Sequence, residues 1–449
     1  MTPQDHCTVV APLAAGREAA LRALLDGMNR EPGLADPAHP VLPFGAFGQI
    51  HFARLVLIDD ALQADLDALP DARTRPPRPR LPTALVLMID CDGPARDCLA
   101  DLVARAGDGL RQLFGHCAGF DPQGDAPADL LAWLLARARP AQAAYVNTLG
   151  RTVQQVHEEQ ALQAWLSARL PSGSRTEPLA APDGARRLHA ALQARARAAV
   201  QAGELRLTPE APTPLAWQLR RWLHLLAVPA IGLLLGVLLW PLLLLALPVL
   251  LWLLRQREQA DPEICPRPDP GLLRTLQALE DRDVTNQYTA IGPVKPGRFR
   301  GWLLAALLLA IDYSCRHLYT RGYLARVQTI HFARWVCLDA RSRVLFISNY
   351  DGSHQGYMDD FINKVAWGLN LVFSNGVGWP RTRWLVLGGA RREHRFKPYQ
   401  RRHQVPTQVW FKAYPGLSLV DLARHQRIRD GLARTDLTEA EALAWLKLL

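Results

Sequence analysis

Residues 330–339 read Ile-His-Phe-Ala-Arg-Trp-Val-Cys-Leu-Asp, and residues 50–59 read Ile-His-Phe-Ala-Arg-Leu-Val-Leu-Ile-Asp. Seven of these ten positions are identical at a constant offset of 280, too many for chance, so the chain carries a tandem duplication. A second register, offset 259, runs outward without a gap. It aligns Asp92-Gly93, Asp101, Gly109-Leu110, Phe114 and Gly119 with Asp351-Gly352, Asp360, Gly368-Leu369, Phe373 and Gly378. The offset changes between two strands. There the first copy has a long connection containing RTRPPRPR (73–80), and the second has only Ala340-Arg341-Ser342.

Hydrophobic periodicity extends this reading to both copies. In the first, strands are expected at 8–10, 50–59, 84–90 and 143–147, with helices at 17–28 (Leu21, Leu24 and Leu25 on one face) and 94–114. In the second, strands fall at 288–291, 328–339, 343–348 and 408–413, with helices at 299–318 and 356–373. Each copy therefore has the order βαββαβ of a ferredoxin-like unit. Such a sheet covers one face with its helices and must bury the other, and a tandem copy supplies the partner. The expected fold class is α+β: two tandem ferredoxin-like βαββαβ repeats forming a pseudo-symmetric α+β barrel, with an inserted membrane-anchoring helical hairpin. The boundaries read as 1–170 for the first repeat, 171–221 for a helical, basic linker, 222–254 for the hairpin or a kinked span, 255–283 for a connector and 284–449 for the second repeat.

The inserted stretch 222–254, WLHLLAVPAIGLLLGVLLWPLLLLALPVLLWLL, has no formal charge. Its 33 residues would make a straight helix of about 50 Å, against a hydrocarbon core of about 30 Å. Pro229, Pro241 and Pro248 offer breaks, and Gly232 and Gly236 allow close helix packing. Arg220 and Arg221 precede the stretch and Arg255 and Arg257 follow it, a symmetry that places both ends, and so both repeats, on the cytoplasmic side of a cell membrane. The run 302–311 is too short to span and is expected to pack on the sheet.

Composition fits this picture. The 449 residues are 49% hydrophobic and 21% charged, with a formal net charge of +10. Membrane lipid is the expected partner, with anionic headgroups near the basic flanks; no aromatic-studded basic motif points to nucleic acid. Seven cysteines form no CxxC pair and no disulfide framework, and no metal site is expected. The amino terminus lacks the pattern of a cleaved signal peptide. Phosphate-loop, GxSxG, HExxH and GxGxxG motifs are absent, which removes the usual support for nucleotide hydrolysis, serine esterase and zinc protease chemistry.

The duplicated strand and the loop Ser348-Asn349-Tyr350-Asp351-Gly352-Ser353-His354 together resemble the dimeric α+β barrel superfamily, which includes dye-decolorising peroxidases and chlorite dismutases. The loop is similar to the GxxDG motif of those peroxidases, with Ser348 in place of the first Gly; the first repeat has Ile89-Asp90-Cys91-Asp92-Gly93. The resemblance implies haem as cofactor, Asp351 as proton-transfer residue and Arg334 as charge stabiliser, with His331 on the same strand. It implies an axial ligand among His354, His394, His403 and His425, and lets the basic segment 391–403, Arg395 included, clasp haem propionates. The residues themselves leave a plainer alternative: a tight turn with Asp351 capping the helix that follows, and HFAR as a core strand whose His is hydrogen-bonded and whose Arg is paired to an acid. Strand alternation puts His331 and Arg334 on opposite faces. Two functions follow: a membrane-anchored, haem-dependent peroxidase-like oxidoreductase acting on a small lipophilic substrate, or a non-enzymatic membrane-associated module that binds lipid or protein and whose repeats are structural.

Overall fold

The computed structural model describes residues 1–67, 69, 80–120, 127–170, 183–263, 267–320, 322 and 324–449. Most of the Pro/Arg-rich connection, and Cys265, lie outside these residues. The first copy comprises β1 (Gln4–Pro12), α1 (Glu18–Gly27), the short β2 (Asn29–Glu31) and β3 (Leu34–Ala35), β4 (Ile50–Ile58), β5 (Ala84–Asp92), α2 (Ala95–Phe114), α3 (Pro127–Arg137), β6 (Ala143–Val146) and α4 (Val153–Ser167). Helices α5 (Gly184–Gln201), α6 (Leu215–Leu238), α7 (Trp240–Ala260) and α8 (Pro270–Leu279) follow. The second copy comprises β7 (Thr285–Pro293), α9 (Arg298–His317), β8 (Ile330–Leu338), β9 (Arg343–Asp351), α10 (His354–Lys364), α11 (Ala366–Phe373), β10 (Thr382–Arg383), β11 (Leu387–Gly388), α12 (Glu393–His403), β12 (Thr407–Lys412) and α13 (Leu419–Ala433), and α14 (Glu439–Leu446) closes the chain.

The duplication is visible residue by residue. Strands β4 and β8 have identical bounds at offset 280, and β5 and β9 at offset 259. Helix α2 is kinked at Ala106 (φ −134°), and the matching helix is broken at Val365 (φ −135°), 259 residues on, where α10 gives way to α11. Each Asp-Gly pair turns a strand into a helix. Gly93 (φ +73°) and Gly352 (φ +87°) adopt the left-handed conformation this turn needs, and their N–H groups donate to Pro3 O and Val284 O.

Among the described residues the sheets do not close into a barrel. The strands make two open antiparallel sheets, ordered β1-β5-β4-β12 and β6-β8-β9-β7. Each copy gives its fourth strand to the other: β6 pairs with β8 and β12 with β4. On the way, each crossing segment touches the edge strand of its own copy through a single bridge, Ala138 to Val9 of β1 and Gln404 to Ala290 of β7. A barrel requires an unbroken ladder around its circumference, so these bridges leave the outer edges of β1 and β7 without closure. The expected α+β barrel, and with it the dimeric α+β barrel resemblance, is therefore corrected to two open sheets. Partner choice between strands is non-local, and strand order along the chain does not encode it.

The bare faces do meet. Val56, Ile58, Val86 and Met88 of one sheet pack against Ile291, Val336, Leu338, Leu345 and Ile347 of the other. Helices α1 to α3 cover the first sheet, α9 to α12 cover the second, and α4, α5, α13 and α14 share a further apolar layer.

Two helices among the described residues are long and apolar enough to cross a membrane, α6 with 24 residues and α7 with 21. The break between them is Leu239 (φ −105°, ψ 9°), which places Pro241 in the first turn of α7, where its missing N–H costs nothing. Pro229 and Pro248 lie inside the helices. No residue of α6 is buried. Both roots are fixed to the body along α9: Tyr313 donates to Leu225 O at 3.2 Å, and Asp261, just past α7, pairs with Lys295 at 2.8 Å and with Arg300. Leu225 and Asp261 would be about 54 Å apart along a straight helix, whereas 300 to 313 spans about 20 Å of α9. The pair must therefore fold back at Leu239.

Candidate functional site: paired His–Asp clamps and the cleft beside them

Both HFAR strands carry a β-bulge near the start, between Ile50 and Phe52 in β4 and between Ile330 and Ala333 in β8. The extra residue resets the alternation. Ile330 and Ala333 then belong to the helix-side core, while the His331 ring lies 5.4 Å from Phe52 of the opposite sheet. His331 and Arg334 consequently share the space between the sheets, where strict alternation had separated them.

The histidines make the same contact twice. His51 Nε2 donates to Asp92 Oδ1 at 3.0 Å, and His331 Nε2 donates to Asp351 Oδ1 at 2.6 Å. The second carboxylate oxygen of each aspartate accepts from the first N–H of a following helix: Val153 N to Asp92 at 2.9 Å, and Leu419 N to Asp351 at 2.7 Å. Capping boxes at Thr152 and Ser418 complete these helix starts. A carboxylate at a helix N-terminus is favoured both by the free N–H groups and by the helix dipole. Each unit thus clamps a sheet to α4 or α13. Asp351 also lies 3.0 Å from Thr285 Oγ1, and Asp92 3.4 Å from Gln4 Nε2, so neither carboxylate has an idle oxygen.

Arg334 does not join Asp351. It donates through Nη1 to Asp90 Oδ1 at 3.0 Å and to Ile89 O at 3.1 Å, while Arg54 donates through both Nη atoms to Asp90 Oδ2 at 2.6 Å. All three side chains are buried between the sheets. Burial alone would raise the Asp90 carboxyl, but the two guanidinium charges outweigh it and hold the group below its ordinary value. Burial pushes Arg54 down to about 10 despite Asp90. One acid serves two arginines, one from each copy. The counterpart of Asp90 in the second copy is Asn349, which is bonded to Gln287.

The four candidate axial histidines do not converge. His354 opens α10, His394 and His403 lie on α12, and His425 lies on α13. His394 is exposed. His354 is buried, and burial together with Arg401 and Lys397 pushes it down to about 3. His403 donates Nδ1–H to Tyr399 O at 2.8 Å, stacks on Tyr399 at 3.8 Å and is pushed down to about 4 by burial. It borders voids of about 30 and 260 Å³, both below the roughly 300–1,000 Å³ of pockets for drug-sized ligands. His425 is buried with both ring nitrogens unpartnered, and Arg395 lies 4.0 Å from Glu263. Among the described residues no three His, Cys, Asp or Glu side chains gather as a metal-binding group. Among the described residues these side chains form no common site that could hold a haem, which leaves the haem-dependent reading without support from the structure. The loop resembling GxxDG is explained by its turn and its helix cap.

A cleft of about 880 Å³ opens beside the first clamp, lined by Asp92, His157, Arg206, Arg30 and Lys412. Burial and the neighbouring His51 lower His157. Glu158 faces the cleft but is engaged, accepting from Thr208 N at 2.6 Å and Thr208 Oγ1 at 2.7 Å. Sequence reasoning did not find this cleft, because its walls come from six separate segments. Comparison of the chain with protein-family models, curated proteins and solved structures returns no match.

Proposed function

We propose that this chain is a membrane-anchored, non-enzymatic binding module, in which α6 and α7 hold the two-sheet body at a bilayer and the duplicated polar residues are structural. One observation carries the reading: two apolar helices without cover along most of their length leave the body together and return to it, rooted along one helix. The clamps support the structural half of it, since Asp92 and Asp351 are saturated by a histidine and a helix N-terminus. The cleft beside Asp92 is the natural place for a lipid or protein ligand, fold alone being no guide to chemistry. The test is alkaline carbonate extraction combined with cysteine labelling from each side of the membrane. The protein is expected to stay in the pellet, with Arg187→Cys and Arg267→Cys labelled from the same, cytoplasmic side. Release into the supernatant, or labelling from opposite sides, would end the reading.

A further inference from the structure

We propose that α9 is an in-plane membrane helix whose outer face sits at the headgroup–acyl boundary of an anionic bilayer, between the roots of α6 and α7. This rests on the anchor reading above and adds a second contact with lipid.

The run 302–311, Trp-Leu-Leu-Ala-Ala-Leu-Leu-Leu-Ala-Ile, has no polar side chain. Its inner positions, Leu304 and Leu308, are buried against the second sheet, as expected for a sheet-covering helix. Its outer positions are apolar too. Trp302 is 73% and Leu309 53% exposed, and Ala306 and Ala310 complete the same stripe at helical spacing. A helix facing water carries polar residues on that side, so the stripe calls for an apolar cover.

Position decides what covers it. At its C-terminal end, α9 meets α6 through Tyr313 and through the His224–His317 contact at 2.9 Å. At the other end, Arg300 and nearby Lys295 hold Asp261 at the foot of α7. The stripe is therefore continuous with the apolar surface of the two anchor helices. The β10–β11 hairpin extends it: Glu258 of α7 accepts from Trp384 N at 3.0 Å and Leu385 N at 2.8 Å, leaving Trp384 and Leu387 exposed beside the root.

The charges agree. Arg298 and Arg316 stand in the first and last turns of α9 and are exposed, as are Arg220, Arg257 and Arg383 near the roots. The acids of this region are turned inward or paired: Asp312 to Arg316, Asp261 to Lys295 and Arg300, and Glu258 to the hairpin. A basic rim around an apolar stripe is the pattern of a helix lying in the interface of an anionic membrane.

The experiment uses spin labels at Trp302→Cys and Leu309→Cys in the full chain, with reactive native cysteines replaced, reconstituted in phosphatidylcholine vesicles with and without phosphatidylglycerol. Reference labels go at Leu235→Cys in α6 and at Val420→Cys, which is exposed on α13. With phosphatidylglycerol present, labels 302 and 309 should collide with oxygen and be shielded from a water-soluble nickel relaxant, at a depth of roughly 5–10 Å. Val420 should remain open to nickel. If 302 and 309 behave like Val420 while Leu235 is in lipid, the anchor stands and this proposal falls. Shielding from both relaxants would mean a protein cover and would also overturn it. A nickel-accessible Leu235 would remove the anchor reading itself. Unchanged shielding without phosphatidylglycerol would overturn the anionic part.

Discussion

The two copies keep the same clamp and differ at their centre. His51–Asp92–Val153 and His331–Asp351–Leu419 are superimposable in logic, each carboxylate joining a strand histidine to a helix N-terminus. One residue further into the sheets the symmetry ends: Asp90 binds the arginines of both copies, while Asn349 is left with a glutamine. The single acid neutralises the pair of arginines only in part. Nε of both arginines and Nη2 of Arg334 remain unpartnered. The difference teaches that the polar interior is held by one hub rather than by two equivalent sites.

The largest effect should fall on that hub. Asp90→Asn removes the acid shared by the buried Arg54 and Arg334 guanidinium groups and is expected to cost about 3–5 kcal/mol, the range for breaking a buried pair from one side. Asn349→Ala removes a neutral hydrogen bond and should cost about 1 kcal/mol. Chemical denaturation of the detergent-solubilised protein measures both. Equal losses would show that the two positions are still equivalent and that Asp90 is no hub.

A third correspondence links helices with no shared sequence. Helices α3 and α12 have matching bounds at offset 266, as do α4 and α13, yet α3 and α12 have no identical residue in register. The same contact is made with different chemistry: Arg137 lies over the Trp133 ring at 3.7 Å, and His403 stacks on Tyr399 at 3.8 Å. At this contact only the second copy is acid-sensitive, although His6 on β1 of the first copy is likewise pushed down to about 4 by burial. His403 falls from an ordinary 6.5 to about 4 in the folded protein, so its neutral ring contributes stability that is fully present above 6.5. That contribution is lost as pH drops from about 6.5 toward 4, because the unfolded chain takes up the proton first. The full loss is roughly 3 kcal/mol, and His354 acts in the same direction over a longer range. Denaturation midpoints between pH 7 and 4 should slope less in His403→Phe; an unchanged slope would assign the acid sensitivity elsewhere.

Much of this molecule was legible in the sequence, and the limits have physical causes. Identity across residues 50–59 and 330–339 marks the duplication because a bulged, two-sided buried strand tolerates few substitutions. The expected strands and the helices 17–28, 94–114 and 299–318 fall within a few residues of the observed elements, since each carries its own periodicity. The strand exchange was not legible, because it depends on which edge is nearest after folding. Nor were the bulges: an alternating pattern gives no sign of the inserted residue, and so it separated His331 from Arg334. The loop at Asp351 was expected to cap the helix that follows it; Ser353 caps that helix, and Asp351 caps α13 instead, a partner 68 residues away that no local pattern could name. The turn requires the Asp-Gly pair for its own geometry.

The finest comparison is between the clamps themselves. Asp351 and Asp92 are nearly equally enclosed, with side chains 10% and 9% exposed, but only Asp92 lines the 880 Å³ cleft. Replacing either by Asn keeps the shape and trades one carboxylate oxygen for an NH2, which then points a donor at either the histidine N–H or the helix N–H. At Asp351 that conflict is closed in by Thr285 and the Leu417 carbonyl, and the loss should be about 1–3 kcal/mol, the cost of a buried group left unpaired. At Asp92, water in the cleft can take up the unpaired donor, so the loss should lie near the bottom of that range. Paired denaturation curves for Asp351→Asn and Asp92→Asn decide it. Equal losses would mean that cleft water does not reach Asp92. No loss at Asp351 would mean that α13 is held by its capping box alone, and the clamp would cease to explain why the histidine and the aspartate were kept in both copies.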